Sequence, residues 1–154
     1  MRRDQAALSA PFCRPHDLSA ARTTFTAMNW WFLMAGLGAL ASAAGHAFAG
    51  EKMFHRPMRA ALSNRLRQGV FDNLWHIVTV HFAVSGIALL FLGLGRGDAL
   101  LACAVGLQFA AYAGVALGIS LHLGAVTRLP QWMLFAVVAL LTAVGALSPQ
   151  GGVR

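Results

Sequence analysis

Four uninterrupted stretches without Lys, Arg, Asp or Glu constrain this chain most: residues 30–50, 74–94, 99–126 and 131–148. At ~1.5 Å of rise per residue, a helix through any of the first three covers the ~30 Å hydrocarbon core of a bilayer. The fourth is the shortest, but Pro130 suits the start of a helix and Pro149 its end, so local signals frame it. Membrane-spanning strands alternate in polarity over about ten residues and cannot leave an open edge in lipid, so these continuous runs are expected to be helices. The expected fold is all-α: four transmembrane helices in an antiparallel bundle, with spans at about 30–50, 74–94, 99–124 and 131–148.

Composition points the same way. With 58% hydrophobic and 11% charged residues, the chain has too little polar surface to cover itself in water. The formal charge is +7, yet the cations sit in the gaps between apolar runs and form no patch on a polar domain. The lipid bilayer is therefore the expected partner and nucleic acid is not. Cys13 and Cys103 lack C-x-x-C spacing, so neither a disulfide framework nor a thiolate metal site is expected.

All four tryptophans, Trp30, Trp31, Trp75 and Trp132, fall at ends of these spans, where an indole prefers the headgroup layer. Short connections around Arg96 and Arg128 imply antiparallel neighbours, and the Arg96-Gly97-Asp98 tripeptide reads as a tight turn. Residues 51–73 form the only long connection. There Met58, Leu62 and Leu66 recur every fourth residue after Pro57, with Gly69 as a stop, which suits either a short basic helix on the membrane surface or a solvated loop. Asp72 and Asn73 read as caps of the second span.

Residues 1–27 hold scattered Pro, Ser, Thr and Arg without apolar periodicity, and read as a disordered tail or an extension ahead of a start at Met28. They lack the apolar core of a signal peptide. Residues 28–148 form the membrane domain and 149–154 a short tail. Counted from Met28, Lys52, Arg56, Arg59, Arg65, Arg67 and Arg128 lie on one side and Arg96 and Arg154 on the other. The positive-inside tendency then puts the termini in the periplasm; Arg2, Arg3, Arg14 and Arg22 would erase the asymmetry.

Histidines carry the chemical interest. Helix direction places His46, His55, His76, His81 and His122 toward one membrane face, with His81 roughly 7–8 Å deeper than His76. An ionisable group at such depth needs a partner or a role, although a shallow imidazole can simply reach water. His46, His76, His81 and His122 are the candidate metal or haem ligands, but His76 and His81 stand about 140° apart on a helix and cannot pair within it. Glu51, just past the first span, calls for a cationic partner such as Lys52, His55 or a loop arginine. Two small-residue stripes, Gly106-Ala110-Gly114-Gly118 leading to His122 and Gly38-Ser42 leading to His46, read as seams of close helix packing. No nucleophile elbow, Walker loop or dinucleotide fingerprint is present, which argues against a conventional enzyme.

The runs Gly45-His46-Ala47-Phe48-Ala49-Gly50-Glu51-Lys52, Arg56-Pro57, Trp75-His76-Ile77-Val78-Thr79 and Pro130-Gln131-Trp132 resemble a family of small bacterial four-span inner-membrane proteins with no established activity. The resemblance covers residues 28–148. It implies a bacterial inner-membrane location, supplies no catalytic residues, and groups His46, Glu51, Trp75, His76 and Thr79 into one pattern. The expectation is a non-enzymatic or accessory membrane protein with a His/Glu cluster (His46, Glu51, His76, Thr79, His81, His122) at one face and no cofactor. The rival readings are a haem- or metal-binding redox protein and a proton-coupled transporter or subunit, with a membrane-protein partner or a second copy as further company.

Overall fold

The computed structural model describes residues 28–127 and 130–148, and every element among them is helical. In chain order these are α1 (Trp30–Ala44), a π-helical segment (Gly45–His55), α2 (Arg56–Ala61), α3 (Arg65–Gly93), α4 (Ala99–His122) and α5 (Gln131–Leu147). The first three run without a break, so three helices are long and apolar enough to cross a membrane: Trp30–Ala61, Arg65–Gly93 and Ala99–His122. The fourth apolar run makes the shorter α5, whose 17 residues reach ~25 Å. The expectations for residues 1–27, Arg128 and 149–154 lie outside the described residues.

Local chemistry accounts for the ends of these helices. The side chains of Asn29, Asn64 and Asp98 accept backbone N–H groups of the first turns of α1, α3 and α4. Gly95 and Gly124, at φ of 73° and 60°, take the left-handed conformation that closes α3 and α4. There the Arg96 N–H donates to the Phe91 carbonyl and the Ala125 N–H to that of Ser120, each at 2.8 Å.

Residues 51–73 differ most from expectation. They form neither a loop nor a separate surface helix: the first helix continues to Ala61, the second begins at Arg65, and only residues 62–64 lack helical structure. Asp72 is accordingly not a cap, since Asn64 caps α3 and Asp72 lies within it. Cys103 also departs from expectation by being disulfide-bonded; the chain's other cysteine, Cys13, lies outside the described residues.

The first two long helices form a tight hairpin. The backbone N–H of Asn29 donates to the Gly93 carbonyl at 2.8 Å, and at Gly36 an added Cβ would lie 2.9 Å from the Gly86 carbonyl oxygen. His46 meets Thr79 and His55 meets Asp72, so partners fall earlier in α3 as the first helix advances. α5 packs on the other flank of α1, where Asn29 Nδ2 donates to the Gly145 carbonyl at 2.9 Å and Phe32 covers Gly145. α4 packs mainly on α5 and only lightly on α3. Buried Phe82 and Phe109 meet Tyr112 and Phe135 at that junction, and Gln108 Nε2 donates to Ser85 Oγ at 2.9 Å.

The two stripes of small residues fare differently. Gly38 faces Val138 of α5, and Ser42 is buried with its hydroxyl donating to the Gly38 carbonyl. Gly106 is buried too, but Ala110, Gly114 and Gly118 are exposed, and a Cβ at Gly114 or Gly118 would meet nothing within 4 Å. Four residues advance a straight α-helix by about 400°, so a strict fourth-residue repeat rotates roughly 40° per step. The stripe that starts in the seam at Gly106 therefore winds out of it by Gly118.

Candidate functional site: a histidine between two carboxylates

The π-helical segment sets the site. In an α-helix at 100° per residue, His46 and His55 would stand about 180° apart and only one could face α3. In a π-helix the i→i+5 bonding widens the turn to about 4.4 residues, so nine residues make about two full turns. Both imidazoles then lie against α3, whose Phe71, Trp75 and Thr79 recur at every fourth position.

The rings interleave. His46 stacks on Trp75 at a centroid distance of 3.9 Å and 24° between planes, while His55 lies 5.0 Å from Trp75 and stacks on Phe71 at 5.1 Å and 14°. Gly50 permits this: a Cβ there would come within 3.0 Å of Trp75 Cζ2. His46 Nδ1 lies 2.8 Å from Thr79 Oγ1, whose own hydroxyl donates to the Trp75 carbonyl at 3.1 Å. A hydroxyl has one proton, so the His46 Nδ1–H must donate to Thr79, and in the neutral ring Nε2 carries the lone pair.

His55 is the polar centre of the head. It is 4% exposed, with Nδ1 2.7 Å from Glu51 Oε2 and Nε2 2.9 Å from Asp72 Oδ1. The oxygens lie off the N–H directions, so these are close approaches rather than aligned hydrogen bonds. Each carboxylate has a second partner: Arg59 Nε donates to Asp72 Oδ2 at 2.9 Å and Arg56 Nε to Glu51 Oε1 at 3.2 Å. The Arg59 hydrogen bond, with the charges of Arg59 and His55, holds the Asp72 carboxyl below the usual aspartate value against the opposing effect of desolvation. Each ring nitrogen of His55 therefore faces a carboxylate oxygen, and the ring lies between two negative charges. Glu51, His55, Arg56, Arg59, Asp72 and His76 line an open hollow of about 370 Å³ at this end of the hairpin.

Of the residues singled out from the sequence, His46, Glu51, His76 and Thr79 come together here, with His76 exposed and its ring 6.0 Å from that of His55. His81 and His122 do not join them. His81 is exposed on α3 with its ring edge-on to Tyr112 at 5.9 Å, and His122 is exposed at the end of α4. Sequence reasoning missed Asp72 and Arg59 as members of the site and gave His55 only a supporting part. The Glu51/His55 spacing of four was the one local signal, because the partners on α3 lie far along the chain. Among the described residues no three His, Cys, Asp or Glu side chains are placed to hold a metal ion. No family model, curated protein or solved structure matches this chain.

Proposed function

We propose that this is a multi-pass integral membrane protein, four antiparallel spans deep, that serves as a non-enzymatic accessory component with its histidine–carboxylate head at one membrane face. The observation that carries the membrane reading is the outer surface. Met34, Leu37, Val84, Ile87, Phe91 and Leu107 are all exposed on the helical body, and the runs through them contain no charged residue. Trp30 and Trp31 mark one end of that body and Trp75 and Trp132 the other. Trp75 rests against Gly50, twenty residues beyond Trp30, so the two tryptophan levels stand roughly 30 Å apart, the thickness of a hydrocarbon core. α5 is a few Å short of that, a mismatch that local thinning of the bilayer accommodates. The bacterial inner-membrane setting follows from the motif resemblance alone.

The head supports a structural role over a catalytic or cofactor-binding one because its charges answer one another. Both carboxylates have a histidine and an arginine, and His55, with a carboxylate at each ring nitrogen, offers no free lone pair to a metal. It works as a clasp that closes the hairpin where the chain leaves lipid. Single-cysteine labelling tests the topology: Ser63→Cys and Arg96→Cys, both exposed positions, each in a Cys13→Ser/Cys103→Ser background, should react from opposite sides of the membrane. Labelling from the same side, or a chain that stays monodisperse in buffer without detergent, would overturn it. An absorption spectrum of the detergent-purified protein separates the haem reading, which requires a Soret band.

A further inference from the structure

The clasp leaves a surplus of positive charge. Between residues 51 and 73 the chain carries five cations and two anions, and both anions are engaged internally. Lys52, Arg65 and Arg67 are exposed and make no ion pair among the described residues. Arg56 and Arg59 each donate to their carboxylate through Nε, and their terminal amines make no hydrogen bond among the described residues. Arg56, Arg59 and His76 line the hollow together with Glu51 and Asp72, whose carboxylates hold the two arginines. The same head bears exposed Met53, Phe54, Met58 and Leu66, at 66%, 49%, 55% and 76%. Cations interleaved with large apolar side chains suit the boundary between headgroups and acyl chains, whereas a wholly solvated tip would gain nothing from the apolar ones.

We propose that the hairpin head binds an anionic phospholipid, its phosphate seated in the hollow against Arg56, Arg59 and His76 and its acyl chains lying along the exposed apolar residues of the head. The assignment rests on the membrane reading above and adds a ligand to it. Charge complementarity selects the occupant: a guanidinium matches two phosphate oxygens at once, and the unpaired Lys52, Arg65 and Arg67 attract an anionic leaflet but not a zwitterionic one. Glu51 and Asp72 also line the hollow and would repel a bare anion, but each is already neutralised by an arginine and faces His55. A lipid, unlike free phosphate, adds the apolar contacts.

The test uses the full chain in vesicles, with Trp75 as the only tryptophan after Trp30→Phe, Trp31→Phe and Trp132→Phe. Trp75 lies 5.0 Å from His55, which lines the hollow. Acyl-brominated phosphatidylglycerol in a phosphatidylcholine background should quench Trp75 with an apparent association constant about fivefold above that of brominated phosphatidylcholine, the factor one cation contributes near a membrane surface. Arg56→Gln/His76→Gln leaves the Arg59–Asp72 contact and the carboxylates at His55 intact and should lower the preference, while helicity by circular dichroism is unchanged. Excess inorganic phosphate should leave the preference standing. Equal quenching by the two lipids, a preference undiminished by the double substitution, or its loss to inorganic phosphate alone would each overturn the assignment. The membrane reading fails separately, by detergent-free monodispersity, so the two failures are distinguishable.

Discussion

Gly86→Val is the sharpest test of how the hairpin packs. A Cβ at Gly86 would lie 2.8 Å from Leu40 Cγ, 3.0 Å from Leu40 Cδ2 and 3.1 Å from the Gly36 carbonyl oxygen. Leu40 can swing aside, but the carbonyl is helix backbone and cannot, so a valine must push α1 and α3 apart along the seam. Overpacking of this kind costs about 1–3 kcal/mol, against a helix-propensity gain of about 0.4 kcal/mol on leaving glycine. The net loss is about 2 kcal/mol, a fall in Tm of roughly 4–8 °C for a chain of this size. The assay is thermal unfolding of the detergent-purified protein followed by tryptophan fluorescence. Gly118→Val is the control, since a Cβ there meets nothing within 4 Å, and its Tm should shift by no more than about 2 °C. Adding Leu40→Ala to Gly86→Val should recover part of the loss by removing the nearest atoms. Equal melting of the Gly86 and Gly118 variants would refute the close approach of α1 and α3.

Three further outcomes follow from the site and its surroundings. The Asp72 carboxyl titrates below its ordinary value when folded, so its stabilisation is complete above about pH 4 and lost as pH falls through the lowered value; a pH series of melting curves should show a drop in that acid range that Asp72→Asn lacks. Thr79→Val removes the acceptor of the His46 Nδ1–H and should cost about 1 kcal/mol, with a change in Trp75 emission as the His46 stack loosens. Gln108→Leu removes the Gln108–Ser85 bond between α3 and α4 and should cost about 0.6 kcal/mol in mixed-micelle denaturation, the average for a hydrogen bond between membrane helices.

How much of this was legible in the sequence depends on whether the signal was one-dimensional. The absence of charge over some twenty residues is a property of the string, so the long apolar helices could be placed within a few residues. Residues 51–73 were read as a connection because they are polar, but polarity marks only where the chain leaves the apolar body, not where helix ends. Their charges pair across the hairpin, Arg59 and His55 with Asp72, and those partners lie 13 and 17 positions away, beyond any local pattern. Asn64, a good cap three residues after Ala61, was the cue that the turn is short. The seam glycines illustrate the same point: Gly36 and Gly86 belong to no fourth-residue repeat, while the most regular repeat, on α4, rotates away from its neighbours.

The chemistry of the head would not stand without the π-helical segment. A helix that stayed α-helical from Trp30 to Ala61 could present His46 to Thr79 or His55 to Asp72, but not both, because the two positions would fall on opposite faces. Widening the turn costs hydrogen-bond geometry, which is why π-helix is rare and mostly confined to single turns. Here it persists for 11 residues, and the same stretch carries Glu51, stacks His46 and His55 around Trp75, and contains the Gly50 that lets the indole approach. What offsets the poorer backbone geometry is therefore local and polar: an ion cluster at one end and an aromatic stack at the other, both made with α3. Loss of the cluster should release the segment toward α-helix and turn His46 or His55 away from its partner, so the backbone conformation and the site hold each other in place.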